Sequence, residues 1–330
     1  MSAPPTSRQP VRDLGAVLDQ VSKAVLAAAA HCLPEVDQTV VYLPAVAGKG
    51  VRPRMTILAA AAVSPDGPPP VELAAGIELL HLATLHHDDV ADQAPLRRGQ
   101  PTIAALRGNR AATFAGTYLF ARGTELVARA GEPFARAAAA CTAALWRGQT
   151  NELVSAYRTD RTEAQYLDVI SDKTGSLIGL ACFSGAMAAG MSVTDAAGWD
   201  RFGKLWGSAF QLADDIADIT SSTTRLGKKA GTDVREGVYT LPVILTLAAG
   251  GDRARELKAL LGRSGLSAEE ARQAGFLILD GPGPAGARAT LVRLTDAAHD
   301  GLAALPPSWS RDLLHTMVDD VWLRVAQHAA

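Results

Sequence analysis

An all-α fold, a bundle of about ten or more antiparallel helices, is what this 330-residue sequence predicts. Three observations carry that reading. Aromatic residues make up only 5 % of the chain while alanine abounds, a composition that suits packed helices better than a β-sandwich. Apolar residues recur at helical spacing in segment after segment. Alternating β-branched runs, the mark of strands, are scarce, and none is convincing.

Residues 1–10 carry three prolines and no periodicity and read as a disordered leader. Residues 11–330 read as a single all-α domain. From Leu14 to Cys32, Leu14, Val17, Leu18, Val21, Val25 and Leu26 fall near one helical face. Similar patterns recur at 53–63, 71–92, 103–129, 134–157, 163–190, 195–218, 240–249, 254–261, 267–279, 287–304 and 309–328. The joints carry turn chemistry, as in Ser64-Pro-Asp-Gly and Gly281-Pro-Gly-Pro. Beyond about residue 250 the pattern is less regular and reads as a cap.

Composition excludes several classes. Lys plus Arg total 32 against 34 Asp plus Glu, so no bulk positive charge is available for nucleic acid. With 48 % hydrophobic residues the chain can fill a core, which excludes global disorder. Cys32, Cys141 and Cys182 are too scattered for a disulfide framework, and a cytoplasmic location is the expectation. The longest apolar stretch, Leu177 to Met191, is broken by Ser184 and three glycines. It falls short of the roughly 18 to 20 residues a membrane span needs.

The strongest chemical signal is a repeated word, Asp88-Asp89-Val90-Ala91-Asp92 and Asp214-Asp215-Ile216-Ala217-Asp218. Chance gives roughly 0.1 such words in a chain of this composition, and this one has two. Asp at i and i+4 share a helix face, so Asp88 pairs with Asp92 and Asp214 with Asp218. Asp89 and Asp215 point about 100° away, as supporting groups would. Clustered carboxylates repel and form helix poorly, a cost that an arriving cation offsets. Hard oxygen donors suit Mg²⁺, which takes one or two carboxylates and completes its shell with water and substrate phosphate.

Cations alternate with these acids along the chain. Gly48-Lys49-Gly50-Val51-Arg52-Pro53-Arg54 opens a helix, where an anion is favoured. Arg97-Arg98-Gly99 follows the first acidic word, and Lys173-Thr174-Gly175 breaks an otherwise apolar helix. Gly227-Lys228-Lys229-Ala230-Gly231 follows the second acidic word and reads as a mobile phosphate cover. Together these groups could hold diphosphates through metal ions.

The chain resembles the all-trans isoprenyl (polyprenyl) diphosphate synthases. The likeness runs from about Gly48 to Pro242. Besides the groups already quoted it rests on Ser171-Asp172-Lys173-Thr174, Phe210-Gln211 before the second word, and Tyr239-Thr240-Leu241-Pro242. The resemblance implies the isoprenoid synthase type of bundle around a deep central cavity, usually in a homodimer. It implies an Mg²⁺-dependent prenyltransferase that adds isopentenyl diphosphate head-to-tail to an allylic diphosphate. Carried over by motif, Asp88, Asp92 and Asp214 would be direct metal ligands. Asp89, Asp215 and Asp218 would assist, partly through water. Arg97, Lys173, Lys228 and Gln211, with Thr174, would hold the allylic diphosphate. Lys49, Arg52, His81 and Arg98 would hold isopentenyl diphosphate. Gly50 stands where the family usually carries an additional Arg, and Val238 where it often has Lys. By the same analogy Leu80, Ala83 and Thr84 set product length. None of these is aromatic, so a shallow floor is disfavoured and geranylgeranyl or a longer polyprenyl diphosphate is the expected product. Phe114, Tyr118 and Phe120 could form a deeper floor or be plain core residues.

Three other readings compete. Glu78-x-x-His81 is the local word of di-iron bundles, but a second copy is missing. The chain could be a non-catalytic subunit of a heteromeric synthase, although such subunits would be expected to lose the acidic words. The same fold and metals could instead cyclise the allylic cation or pass it to another acceptor.

Overall fold

The computed structural model describes residues 13–30, 42, 50–220 and 232–327. Contacts sort these residues into two units. The first runs to Ala140 and takes in 177–200 and 306–311; the second holds 141–176, 201–305 and the chain from Asp312 on. The leader, Lys49 and Lys228 lie outside the described residues.

In the first unit, α1 (Leu14–Ala29) starts where the Asp13 carboxylate accepts from the Ala16 N–H at 3.1 Å. α2 (Val51–Val63) and α3 (Val71–Ala91) follow. Two short strands, β1 (Leu96–Arg97) and β2 (Gln100–Pro101), pair antiparallel. Next come α4 (Ile103–Arg107) and α5 (Asn109–Arg129), then α6 (Glu132–Val154), which passes into the second unit at Cys141. α3 packs chiefly against α5, and both help close a core of Val21, Ile57, Leu79, Leu82, Ala83 and Leu119. Each fully buried Val, Ile or Leu side chain there contributes roughly 1.5–3 kcal/mol.

The second unit continues with α7 (Glu163–Ile170), whose N-terminus is a reciprocal capping box between Thr162 and Gln165. A π-helical turn (Ser171–Gly175) leads into α8 (Ser176–Ala188), which lies almost wholly in the first unit. α9 (Val193–Thr220) crosses back at Arg201. α10 (Thr232–Glu236), α11 (Leu241–Ala248), α12 (Gly251–Leu260), α13 (Ala268–Leu279) and α14 (Gly283–Ala303) complete it with most of α15 (Trp309–Gln327). Val234, Tyr239, Val243, Leu257 and Ile278 form one of its cores. No described helix is long and apolar enough to cross a membrane.

The helical class is as predicted, with three local differences. The 103–129 pattern is two helices, because Gly108 at φ 84° leaves the helical region. The 163–190 pattern is interrupted by the π-helical turn. The two strands are each two residues long, too short for any alternation to show. Their loop takes Arg98 to φ 53° and Gly99 to φ 77°, the twin left-handed residues of a tight hairpin.

Candidate active site

The first acidic word ends α3. Asp92 caps the helix, and its N–H bonds the Asp88 carbonyl at 2.8 Å. Asp88 is half-buried and Asp92 exposed. A helix C-terminus carries partial negative charge, so carboxylates gathered there ask for cations. Asp89 differs from its neighbours. It is 1 % exposed, and Arg97 Nε donates to its Oδ1 at 2.6 Å. Burial nevertheless holds the Asp89 carboxyl above the usual carboxylate range, against the pull of Arg97. One turn earlier, His86 is fully buried; burial, then the charges of His87 and Arg97, bring it down to about 4, so it is neutral.

One turn or more up the same helix, a second set of groups converges. Burial pushes His81 well below 6.5, and the charges of Arg52, Arg98 and Arg97 push the same way. Burial raises Glu78, while Arg52 and Arg98 oppose it. Arg52, His81 and Arg98, three residues of the expected isopentenyl group, therefore share one field with Glu78. α2 begins directly after Gly50, which sits at φ 57°. A side chain is strained in that conformation, which gives a physical reason for glycine where the family usually has Arg. Leu80 and Ala83 are buried, and the half-buried Thr84 hydroxyl donates to the His81 carbonyl at 2.8 Å. Phe114 is 66 % exposed. Tyr118 and Phe120 pack against the α3–α5 core, as core residues do.

In the second unit the π-helical turn carries Lys173 and Thr174. The Ser176 N–H reaches the Ser171 carbonyl, five residues back. Two glycines let this turn nest. A Cβ on Gly148 of α6 would stand 2.8 Å from the Lys173 nitrogen, and one on Gly175 would stand 2.9 Å from the Lys204 carbonyl oxygen of α9. Lys173 Nζ pairs with Glu152 at 2.8 Å, both side chains 29 % exposed. On Asp172, Arg147 makes a two-pronged bond at 2.7 and 2.6 Å.

The second acidic word lies near the end of α9. Asp215 is gripped from both sides: Tyr166 Oη donates to Oδ2 at 2.5 Å, and Gln211 Nε2 donates to Oδ1 at 2.8 Å. Thr174 Oγ1 in turn donates to Gln211 Oε1 at 3.1 Å. Asp214 accepts from Arg324 Nη1 at 2.7 Å, and Asp218 is exposed. Glu152, Tyr166 and Arg324 were not anticipated. Their partners lie 21, 49 and 110 residues away in sequence, and no local pattern links them.

In both words, then, the middle carboxylate is tied to protein donors, while the outer ones differ. Among the described residues no three His, Cys, Asp or Glu side chains form a closed ion cage. Mg²⁺ needs only one or two carboxylates besides water and substrate phosphate, so each acidic word by itself carries donors of the right chemistry.

Comparison with known proteins gives the family. Residues 33–276 match the family model described as Polyprenyl synthetase. The chain is 40 % identical over 284 residues to the nonaprenyl diphosphate synthase of Mycobacterium tuberculosis, covering 86 % of this chain and 85 % of that one. It is 38 % identical over 237 residues to heptaprenyl diphosphate synthase component 2 of Geobacillus stearothermophilus, covering 72 % and 73 %. Among solved structures, the polyprenyl synthase of Caulobacter crescentus, complexed with calcium and isoprenyl diphosphate, matches with a TM-score of 0.86 and 30 % identity. That match covers 98 % of this chain and all of the other. On this evidence the chain belongs to the polyprenyl synthetase family, whose members are prenyltransferases that make polyprenyl diphosphates.

Proposed function

We propose that the protein condenses isopentenyl diphosphate head-to-tail with an allylic diphosphate in the presence of Mg²⁺. The single observation that carries this is the acidic word that ends α3 and its repeat near the end of α9, in a chain of the polyprenyl synthetase family; Arg52, Arg98 and Arg97 act on the half-buried His81 of α3. An imidazole kept neutral among arginines suits a site that receives an anion.

Asp88, Asp92 and Asp214 would hold Mg²⁺, with Asp89, Asp215 and Asp218 assisting. When bound, the metal supplies positive charge to a departing diphosphate. Lys173 and Lys228 add cationic charge to that leaving group, and Thr174, Gln211 and Arg97 orient it. Arg52, His81, Arg98 and Lys49 hold the isopentenyl partner so that its double bond meets the allylic carbon. The new carbon–carbon bond forms as the allylic carbon–oxygen bond is lost. The proton then shed goes to the released diphosphate, the base already in place.

The product we propose is geranylgeranyl diphosphate or longer, because Leu80, Ala83 and Thr84 put no aromatic ring on the expected path of the tail. The named relatives make nonaprenyl and heptaprenyl chains, which supports the longer end. We also read residues 11–330 as one functional domain acting in the cytoplasm as a homodimer. Phe114 on α5 and Trp146, Leu153 and Val154 on α6 are all exposed, and large exposed apolar side chains mark interaction surfaces. The component 2 relative makes a heteromeric partner the second reading.

The test is incubation with Mg²⁺, isopentenyl diphosphate and each allylic primer in turn, followed by mass spectrometry of the products. Elongated polyprenyl diphosphates are expected. Failure with every primer, or cyclised products alone, would overturn the proposal.

A further inference from the structure

We propose that Tyr166 is a positioning residue of the second acidic word: its buried hydroxyl holds Asp215 and so orients the carboxylate that assists the metal site. The inference rests on the reading of Asp214 and Asp218 as part of the Mg²⁺–diphosphate site.

Tyr166 is 2 % exposed, on α7, away from both motifs in sequence. Its hydroxyl meets Asp215 Oδ2 at 2.5 Å, the length of a bond to an ionised acceptor. Burial and the Asp215 charge both drive the phenol well above 10, so it remains a donor throughout the working pH range. The Arg161 guanidinium lies over the same ring, 5.6 Å from its centre, and holds the ring's far side. The other Asp215 oxygen is held by Gln211, itself held by Thr174 of the π-helical turn.

Thr174, Gln211, Asp215 and Tyr166 thus form a continuous chain across the π-helical turn, α9 and α7. A carboxylate has about four acceptor positions. Tyr166 and Gln211 take one on each oxygen, which fixes the plane of the group. Without the Tyr166 hydroxyl, Asp215 loses its donor on Oδ2 and is held less firmly. Partners of this kind change metal affinity by about 10- to 100-fold when removed.

The experiment uses full-length protein and two readouts. The first is the rise in Tm on adding Mg²⁺ with inorganic pyrophosphate. The second is the Mg²⁺ concentration for half-maximal condensation. For Tyr166→Phe we expect a smaller Tm rise, a half-saturating Mg²⁺ concentration about ten-fold higher, and an unchanged KM for isopentenyl diphosphate. Asp215→Asn and the Tyr166→Phe/Asp215→Asn pair decide whether Tyr166 acts through Asp215. The double variant should be no worse than Asp215→Asn alone, and it removes the charge that a phenylalanine would leave poorly satisfied, so it stays informative if Tyr166→Phe folds badly. Additive losses in the double variant, or a wild-type Tm rise and Mg²⁺ dependence in Tyr166→Phe, would overturn the inference. A wild-type protein that shows no Tm rise at all would overturn the metal-site reading itself and the inference with it.

Discussion

Arg324, near the end of α15, donates to Asp214 at 2.7 Å while its guanidinium carbon lies 3.8 Å above the ring of Phe210. The stacking holds the cation in place independently of the carboxylate. A cation already resting on a proposed metal ligand competes with the incoming one. Arg324→Gln should therefore lower the half-saturating Mg²⁺ concentration by roughly two- to five-fold, read from turnover against Mg²⁺. The pair is partly exposed, so the loss in stability should be about 1 kcal/mol or less. A higher Mg²⁺ requirement in the variant would mean that Arg324 helps bind the diphosphate instead.

Asp88→Ala and Asp214→Ala should each cut condensation by at least about 100-fold, since each removes charge that stabilises a leaving diphosphate. Both residues are half-buried and not core, so folding should survive; circular dichroism checks this while radiolabelled isopentenyl diphosphate reports turnover. Near-normal turnover in either variant refutes its role.

His81 gives a pH signature. Its folded pKa lies well below 6.5, chiefly through burial. Below about pH 6.5 the unfolded chain takes up a proton that the folded site refuses, so stability falls as pH drops from there. Above that range both states are neutral and the residue adds no slope. His81→Gln should make the acid side of a Tm-against-pH curve less steep, the buried His86 supplying the slope that remains, and raise the KM for isopentenyl diphosphate. A wild-type curve with no decline between pH 6.5 and 5 would contradict a neutral buried imidazole.

Ala83 sits fully buried in the core shared by α1, α2, α3 and α5. Ala83→Phe should shorten the product, measured by mass spectrometry, if the tail runs along this helix. The same change overpacks a tight seam, at a cost of about 1–3 kcal/mol, so Tm should drop with it. An unchanged product from a folded variant would place the tail elsewhere.

Local regularities were readable because a helix repeats every few residues. The spacing of Asp88 and Asp92 puts both on the closing turn of α3, and the run before Arg54 marks a helix start that the structure places at Val51. Lys173 advertised its need for a counter-charge by standing in an apolar run. Nothing comparable announced Tyr166 or Arg324, whose partners arrive from distant parts of the chain and answer to tertiary packing. The Gly108 break was hidden because helical spacing resumes directly beyond it. The Arg98 hairpin was hidden because strands of two residues hold no period.

The π-helical turn at Ser171–Gly175 has a consequence for how this protein can change over time. One surplus residue in a helix rotates all that follows by about 100°. With Gly148 and Gly175 wedged against neighbouring backbone, the segment has no slack in which to absorb a deletion or an insertion. Loss of a single codon here would swing Leu177 and Ile178 out of their buried seats and carry Lys173 away from Glu152. Lineages of this enzyme should therefore hold the length of this stretch almost constant.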